Sequence, residues 1–287
     1  MTGRIVTGKN IAEDIKNKVK NQVRILKDSK GITPRILSIL VGNNPEAQLY
    51  LRLRDKGCID VGISSIRKEL SNDISEEELL DVIKESNEDE NIHGILIQYP
   101  LPVHISMERI MKSIDPDKDV EGLTPSNLGN ILIGHELLVP CTPLAVMKIL
   151  EHEHVDIKGR HVVIVNHSNI VGKPLTALCL NRNATVSTCH VFTKNLSEMT
   201  SQADVLISAA GVPGLITQNH VKEGACVIDV AMVQTADGFC GDVVSSEVLK
   251  KASFITPVPG GVGPVTVACA LSNMVMTSSL CEKERKK

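Results

Sequence analysis

Residues 158–176, KGRHVVIVNHSNIVGKPLT, constrain the fold more than any other stretch of this chain. His161 to Val165 are almost all β-branched, the composition of a strand buried on both faces of a parallel sheet. Asn166 to Asn169 are polar and turn-forming. From Ile170 onward Val171, Leu175 and Leu178 recur at helical spacing. Gly172 and Pro174 suit a first helical turn, where proline lacks only an N–H that has no helical partner anyway. Strand, turn and helix in this order leave free N–H groups and a positive dipole end beside the strand terminus, which suits a phosphate. A purely structural turn has the same outline, and Asn166 stands where the usual first glycine would be.

The alternation continues along the chain. Strands are expected at Ile36–Val41, Ser64–Leu70, Gly94–Gln98, Ala184–Cys189, Asp204–Ser208, Ala225–Val230 and Ile255–Thr256. Between them lie helical patterns. Ile11, Ile15, Val19, Val23 and Leu26 form one apolar stripe, followed by a polar turn over Lys27–Pro34. Asn44 caps a helix with Pro45 at its first position, closed by Gly62. Ser75 and Glu78 form a capping box. Short helices follow at Met107–Ile114, Leu144–Leu150 and Ser197–Gln202, and a long one closes the chain at 264–280. Asp115–Glu121 reads as an acidic loop. The fold class is therefore α/β with parallel sheets. A length of 287 residues suits two domains. The change of unit near Pro140–Pro143 divides them as 1–140 and 141–287, with the last helix packing back on the first domain.

A net charge of −3, two Tyr, three Phe and no Trp argue against nucleic acid and against an anionic membrane surface. No apolar run is seen to approach the ~20 residues of a membrane span. The polar start MTGRIVTGKN does not read as a signal peptide. The eight cysteines form no C-x-x-C pair and read as reduced, mostly buried thiols of a cytoplasmic protein.

Three stretches carry more polar punctuation than packing requires. Tyr50 and Arg54 lie one helical turn apart and can face one cleft, although for the pair taken alone a solvated helix face is the plainer reading. Gln98-Tyr99-Pro100-Leu101-Pro102 follows a buried strand, and the carboxyl ends of such strands are where α/β folds bind ligands; a Gln bonded to loop backbone explains it equally well. Thr256 to Pro264 holds three glycines and three prolines in nine residues. That composition gives a shaped, side-chain-poor loop that a ligand can approach closely. Glu151-His152-Glu153-His154 is read as a solvated helix end, with no metal, because residues two apart do not share a helix face.

Taken together these stretches resemble the bifunctional methylenetetrahydrofolate dehydrogenase/cyclohydrolase family of folate one-carbon metabolism. The carriers are Val41-Gly42-Asn43-Asn44-Pro45, Tyr50, Gly94 to Gln98 with Pro100-Leu101-Pro102, and Pro116 to Val120. Further on they are Pro140-Cys141-Thr142-Pro143, Ser168 to Pro174 and Pro257 to Pro264. The resemblance runs almost end to end. It implies an amino-terminal catalytic domain, a carboxy-terminal Rossmann-type domain, a folate cleft between them, and a homodimer. It implies hydride transfer from 5,10-methylenetetrahydrofolate to NADP, then hydration of the methenyl cation to 10-formyltetrahydrofolate, in the supply of one-carbon units for purine biosynthesis. By position, Arg54, Tyr50, Gln98 and Glu121 would be catalytic. Tyr50, Ile97, Gln98, Tyr99, Pro100 and Pro259, Gly260, Gly261, Val262 and Gly263 would meet the folate. Asn166, His167, Ser168, Ile170, Gly172, Val191, Thr193, Gly211 and Met232 would meet the cofactor.

The chain departs from the family's pattern where it matters most. Arg54 stands for a catalytic lysine, Glu121 for a pterin-gripping aspartate and Asn166 for a glycine. The arginines that some members place at the positions of His167 or Val191 are missing. A lysine in a cleft can exchange a proton near neutrality; a guanidinium, with a pKa above ~12, cannot. Hydration and ring opening need proton transfers, whereas hydride transfer needs positioning. The expectation is a dehydrogenase with cyclohydrolase activity reduced or lost, the fully bifunctional enzyme and a catalytically weak folate-binding paralogue being the alternatives. NADP is the expected cofactor and NAD the alternative. His167 offers a contact for a 2′-phosphate, stronger when protonated.

Overall fold

The computed structural model describes residues 3–236 and 238–284. The chain runs β1 (Arg4–Ile5), α1 (Lys9–Lys30), β2 (Arg35–Val41), α2 (Pro45–Val61), β3 (Ser64–Leu70), α3 (Glu76–Glu88), β4 (Gly94–Gln98), α4 (Met107–Ser113), a 3-10 turn (Pro116–Lys118), α5 (Pro125–Leu132) and α6 (Cys141–His152). It continues with β5 (His161–Val165), α7 (Gly172–Asn181), β6 (Thr185–Cys189), α8 (Leu196–Thr200), β7 (Val205–Ser208), a 3-10 turn (Gln218–His220), β8 (Cys226–Asp229), β9 (Val233–Thr235), β10 (Gly238–Cys240), α9 (Ser245–Val248), β11 (Phe254–Ile255) and α10 (Val262–Glu284). Two compact units result. One holds the chain up to Glu13, Ile131–His135 and Pro140–Thr266; the other holds Asp14–Asn130, Glu136–Val139 and the chain from Val267 onward.

The first unit is built on a parallel sheet of order β1-β11-β8-β7-β5-β6. Val162, Val163 and Ile164 are all 0% exposed, so neither face of β5 sees water, as its β-branched run requires. The two-residue edge strand β1 has no periodicity by which to find it; Arg4 lies over the Phe254 ring at 5.5 Å and pairs with Glu153. His152 Nδ1 also bonds to Glu153, at 2.9 Å. The Glu151–His154 cluster is thus occupied in part by ion pairs of its own.

The second unit has a parallel sheet of order β3-β2-β4, its core formed by Ile36, Ile39, Leu40, Ile95, Leu96 and Ile97. The caps form as the sequence indicates. The Asn44 side chain accepts from the Ala47 N–H at 2.9 Å, Gly62 closes α2 at φ 85°, and Ser75 with Glu78 makes the capping box. The expected polar turn over Lys27–Pro34 begins later, because α1 continues to Lys30. Lys27 and Lys30 then lie in its last turn, where the helix dipole favours cations. Helix α5 was not anticipated; its PSNLGNIL sequence is rich in turn residues.

The expectation that no apolar run approaches a membrane span needs correction. Val262–Glu282 is 21 residues long, with a mean hydropathy of 1.3 in its most apolar window. Two-thirds of that window is buried inside the protein (67%), as in a core helix. Its second half packs closely. A Cβ on Gly94 would lie 2.6 Å from Met274 Sδ, so β4 has to begin with glycine. Asn273 Nδ2 donates to the Val120 and Val139 carbonyls, each at 2.9 Å.

Candidate active site

In the second unit three elements converge on a guanidinium. Arg54, in the middle of α2, is only 3% exposed. Its Nη2 donates to Ser38 Oγ on β2 at 3.2 Å, and its Nη1 reaches Gln98 Oε1, at the carboxyl end of β4, at 3.4 Å. Gln98 in turn donates from Nε2 to the Tyr99 carbonyl at 3.4 Å. Arg54 is therefore a fixed, bonded cation and not a residue of a solvated helix face. Ser38 went unnoticed in the sequence; the signal available was one hydroxyl in an otherwise apolar strand, RILSILV. Tyr50 lies one turn before Arg54, half-buried. Cys58, one turn after it, has its thiol pushed up to about 12 by burial, against the opposing pull of Arg54.

The loop Asp115–Glu121 is not a solvated acidic run. Asp115 caps its 3-10 turn. The Lys118 ammonium, 6% exposed, donates to the carbonyls of Ser86, Asn87 and Asp89 at 3.2, 2.6 and 2.9 Å. Those carbonyls lie at the end of α3, where a cation is favoured. Asp119, 1% exposed, accepts from the Gly122 and Thr124 N–H groups and from Asn127 Nδ2 at 2.8, 2.7 and 2.9 Å. Burial raises its carboxyl while these bonds pull it down.

Asp119 bridges Ile95 in parallel register, and the Val120 N–H donates to the Ile95 carbonyl at 3.3 Å. Glu121 follows in the turn that the Gly122 N–H closes on the Asp119 carbonyl at 3.3 Å, within electrostatic reach of Arg54 and Tyr99. Glu121 is half-buried, but the protein packed around it strips most of its hydration. Its carboxyl is pushed up to about 7 by burial, with Arg54 opposing and Asp119 reinforcing. Among the described residues nothing donates a hydrogen bond to it or pairs with it. Tyr99 is half-buried, its hydroxyl bonded to Met111 Sδ at 3.0 Å and raised well above the usual phenol range by burial and then by Glu121 and Asp119. Ile97 is 1% exposed, a core residue of β4, whereas Pro100 is exposed.

The remaining sequence-predicted folate residues belong to the first unit. Pro259 and Gly260 are exposed, Gly261 and Val262 buried, and Gly263 half-buried. Part of the loop's glycine content serves its own packing. A Cβ on Gly261 would lie 2.5 Å from the Pro257 carbonyl oxygen, and one on Gly8 2.0 Å from that of Gly261.

The same unit carries the predicted cofactor residues beyond the carboxyl ends of β5, β6, β7 and β8. The Asn166 side chain is turned inward. It donates to the Ala209 carbonyl at 2.7 Å and accepts from the Ser168 and Gly172 N–H groups at 2.8 and 3.0 Å. Its φ is not in the left-handed region that would call for a glycine, and its amide closes the turn. Gly172 is required by close approach, since a Cβ there would lie 2.1 Å from the Asn166 carbonyl oxygen. Ser168 Oγ accepts from the Val171 N–H at 3.1 Å. The His167 and His190 rings lie with centroids 4.7 Å apart, tilted by 44°. His190 is held by its N–H donating to Thr193 Oγ1 at 2.8 Å and by Nδ1 accepting from the Phe192 N–H at 3.2 Å. Val191 is 85% and Met232 39% exposed, and Ile170 half-buried. No carboxylate occurs in 189–194, where an acid would hold a free ribose 2′-hydroxyl. A glycine cradle, serine and asparagine at a helix start, and two imidazoles with Lys194 beyond β6 fit a phosphorylated dinucleotide.

Beneath this surface Asp242, 0% exposed, accepts from Ser208 Oγ and from the Ala210 and Val212 N–H groups at 2.6, 2.7 and 2.7 Å. It thereby fixes the loop that carries Gly211. Asp229 accepts from the Asp242 and Val243 N–H groups at 3.1 and 2.9 Å, and burial pushes its carboxyl up to about 6. Neither acid was singled out in the sequence, because each sits in an otherwise ordinary strand or turn.

Residues 6–121 match the tetrahydrofolate dehydrogenase/cyclohydrolase catalytic domain, and residues 140–282 the NAD(P)-binding domain of the same family. The chain is 48% identical to the bifunctional protein FolD of Methanosarcina barkeri over 95% of each. The crystal structure of the bifunctional FolD of Campylobacter jejuni superposes with a TM-score of 0.93 at 45% identity, covering 96% of this chain and 98% of that one. The Trypanosoma brucei dehydrogenase-cyclohydrolase, complexed with NADP and inhibitor, gives 0.93 at 33% identity over 99% of each chain.

Proposed function

This chain belongs to the tetrahydrofolate dehydrogenase/cyclohydrolase family, and from that premise we propose that it oxidises 5,10-methylenetetrahydrofolate with NADP and hydrolyses the methenyl product more slowly than a lysine-bearing enzyme would. The observation that carries this reading is Arg54, buried and bonded to both Ser38 and Gln98. Such a cation positions a folate and stabilises charge beside it, which hydride transfer needs. It does not give up a proton near neutrality, which hydration and ring opening need. NADP, when bound, supplies the hydride acceptor. His167 and His190 support the choice of NADP over NAD, as do the lack of a carboxylate in 189–194 and the NADP complex of the Trypanosoma brucei relative.

A paired assay tests the proposal. Methylenetetrahydrofolate oxidation is followed with NADP and with NAD, and methenyltetrahydrofolate decay is followed above its spontaneous rate. NADP-dependent oxidation is expected, together with hydrolysis that Arg54→Lys raises by roughly tenfold or more, the scale of a general acid–base contribution being about 10²–10⁴. Absence of oxidation, or a lysine variant that hydrolyses no faster, overturns it.

A further inference from the structure

Helix α2 packs on β2 through an apolar contact, in which Leu40 of the strand meets Ala47 and Leu51 of the helix. Two polar residues interrupt it. On the helix, Ala47, Leu51, Arg54 and Cys58 are buried positions spaced by four, three and four, so Arg54 stands in the stripe that faces the sheet. On the strand, Ser38 shares the face of Leu40 and is the single hydroxyl in RILSILV. Neither residue suits its place alone. The central strand of a buried sheet favours β-branched residues over serine, and a guanidinium taken out of water is costly unless it is bonded. Each supplies what the other lacks, because Arg54 Nη2 donates to Ser38 Oγ at 3.2 Å. The register shows what the bond does. Ser38 is level with Leu96 of β4, and Leu40 with Gln98. Ser38 and Gln98 therefore lie on one face of the sheet, two residues apart along the strand direction. Nη2 is anchored at the inner point, and Nη1 at the carboxyl end of β4, 3.4 Å from Gln98 Oε1. A guanidinium is planar. Bonds to both terminal nitrogens fix its plane and how far it reaches toward the strand ends, and loss of the Ser38 bond releases the inner of the two.

Resting on the function proposed above, we infer that Ser38 is a positioning residue of the oxidation. Its hydroxyl sets the pose in which Arg54 meets the folate beside Gln98, and it is what suits this site to an arginine. Ser38 is fully buried and acts only through Arg54. A lysine side chain ends one bond short of the Nη positions, at the level of the guanidinium carbon, and its single ammonium has no plane to set. It makes no equivalent use of the serine.

The test is a double-variant cycle on the full-length protein, read as methylenetetrahydrofolate oxidation at saturating NADP. The proteins compared are the parent, Ser38→Ala, Arg54→Lys and the double variant. Ser38→Ala should lower kcat by roughly ten- to a hundredfold, the scale of a misplacement of about 1 Å. It should leave the KM for NADP unchanged, because the predicted cofactor residues belong to the other unit. In the Arg54→Lys background the same substitution should change kcat by less than about twofold, the spread expected of independent sites. A serine that served only the packing of β2 would lower both backgrounds by one common factor. Ser38→Cys keeps the shape and replaces the oxygen by a weakly accepting sulfur. It should follow the alanine variant, whereas a packing role would leave it at the parent's rate. The inference is overturned by an alanine variant that keeps kcat within about twofold of the parent, by equal losses in both backgrounds, or by a cysteine variant at the parent's rate. If the alanine variant does not fold, the cysteine variant completes the cycle in its place. A parent that does not oxidise methylenetetrahydrofolate with NADP overturns the underlying reading and this inference with it; oxidation that Ser38 does not affect through Arg54 overturns this inference alone.

Discussion

Each unit buries acid groups, and each uses them differently. In the six-stranded unit Asp242 takes three donors and Asp229 takes backbone N–H groups, so the pair fixes loops. In the three-stranded unit Glu121 takes none among the described residues, next to an arginine occupied elsewhere. Burial of a carboxylate is therefore not by itself a sign of chemistry. A buried acid whose oxygens are all engaged is part of the scaffold. One held in place with its oxygens open stores a protonation equilibrium that a substrate can use.

The contrast is broken most directly at Asp242. Asp242→Ala leaves the Ser208 hydroxyl and the Ala210 and Val212 N–H groups buried without an acceptor, each worth about 1–3 kcal/mol. Relief of the repulsion on Asp229 offsets part of this. The net loss should be roughly 3–5 kcal/mol, which lowers Tm by about 10 °C in a chain of this size, measured by scanning calorimetry. A variant that melts within about 2 °C of the parent would show that the pair is not the scaffold described.

At Glu121 the sign reverses. Its carboxyl is raised from 4.5 to about 7 in the folded protein. The stability it contributes is therefore complete below the unfolded value of 4.5 and is lost as pH rises through 7. Glu121→Gln does not titrate. It should match the parent below pH 4.5 and exceed it above neutrality by on the order of 1–2 kcal/mol, after allowance for the side chain's partial exposure. Urea midpoints taken at pH 4.5 and pH 8 check this, and an equal difference at both would remove the titrating group from the argument.

What the sequence revealed and what it hid divide along the same line. Period and punctuation were enough for β5, the Asn44 and Ser75 caps and the parallel alternation, because those depend on neighbours in the chain. Ser38, Lys118 and Asp119 were not found as site-building residues. Their roles depend on partners 16, 29 to 32, and 3 to 8 residues away, which only the fold brings to them. Asn166 was noticed as a turn residue standing in place of a glycine. Its type indicated a turn, but the direction of its amide was set by the Ala209 carbonyl on a neighbouring loop. Glu121 was noticed for its identity; that nothing bonds to it is a property of the folded surroundings.

Asn166 supplies the smallest and most informative test, because here a departure from the family's glycine is fully bonded. Asn166→Gly removes one donor to Ala209 and the acceptor shared by Ser168 and Gly172. The site is half-buried, so water replaces much of what is lost, and stability should fall by only about 1 kcal/mol, including the backbone entropy of glycine. The two released N–H groups lie in the turn after β5 and at the first residue of α7, where a phosphate is favoured. NADP should therefore bind the glycine variant more tightly, by roughly three- to tenfold, corresponding to about 0.7–1.4 kcal/mol, as read by isothermal titration calorimetry. Stability and affinity then move in opposite directions. If both fall together, the Asn166 amide is holding the turn in its binding shape. The satisfied side of the comparison would then include a residue that serves the ligand as well as the scaffold.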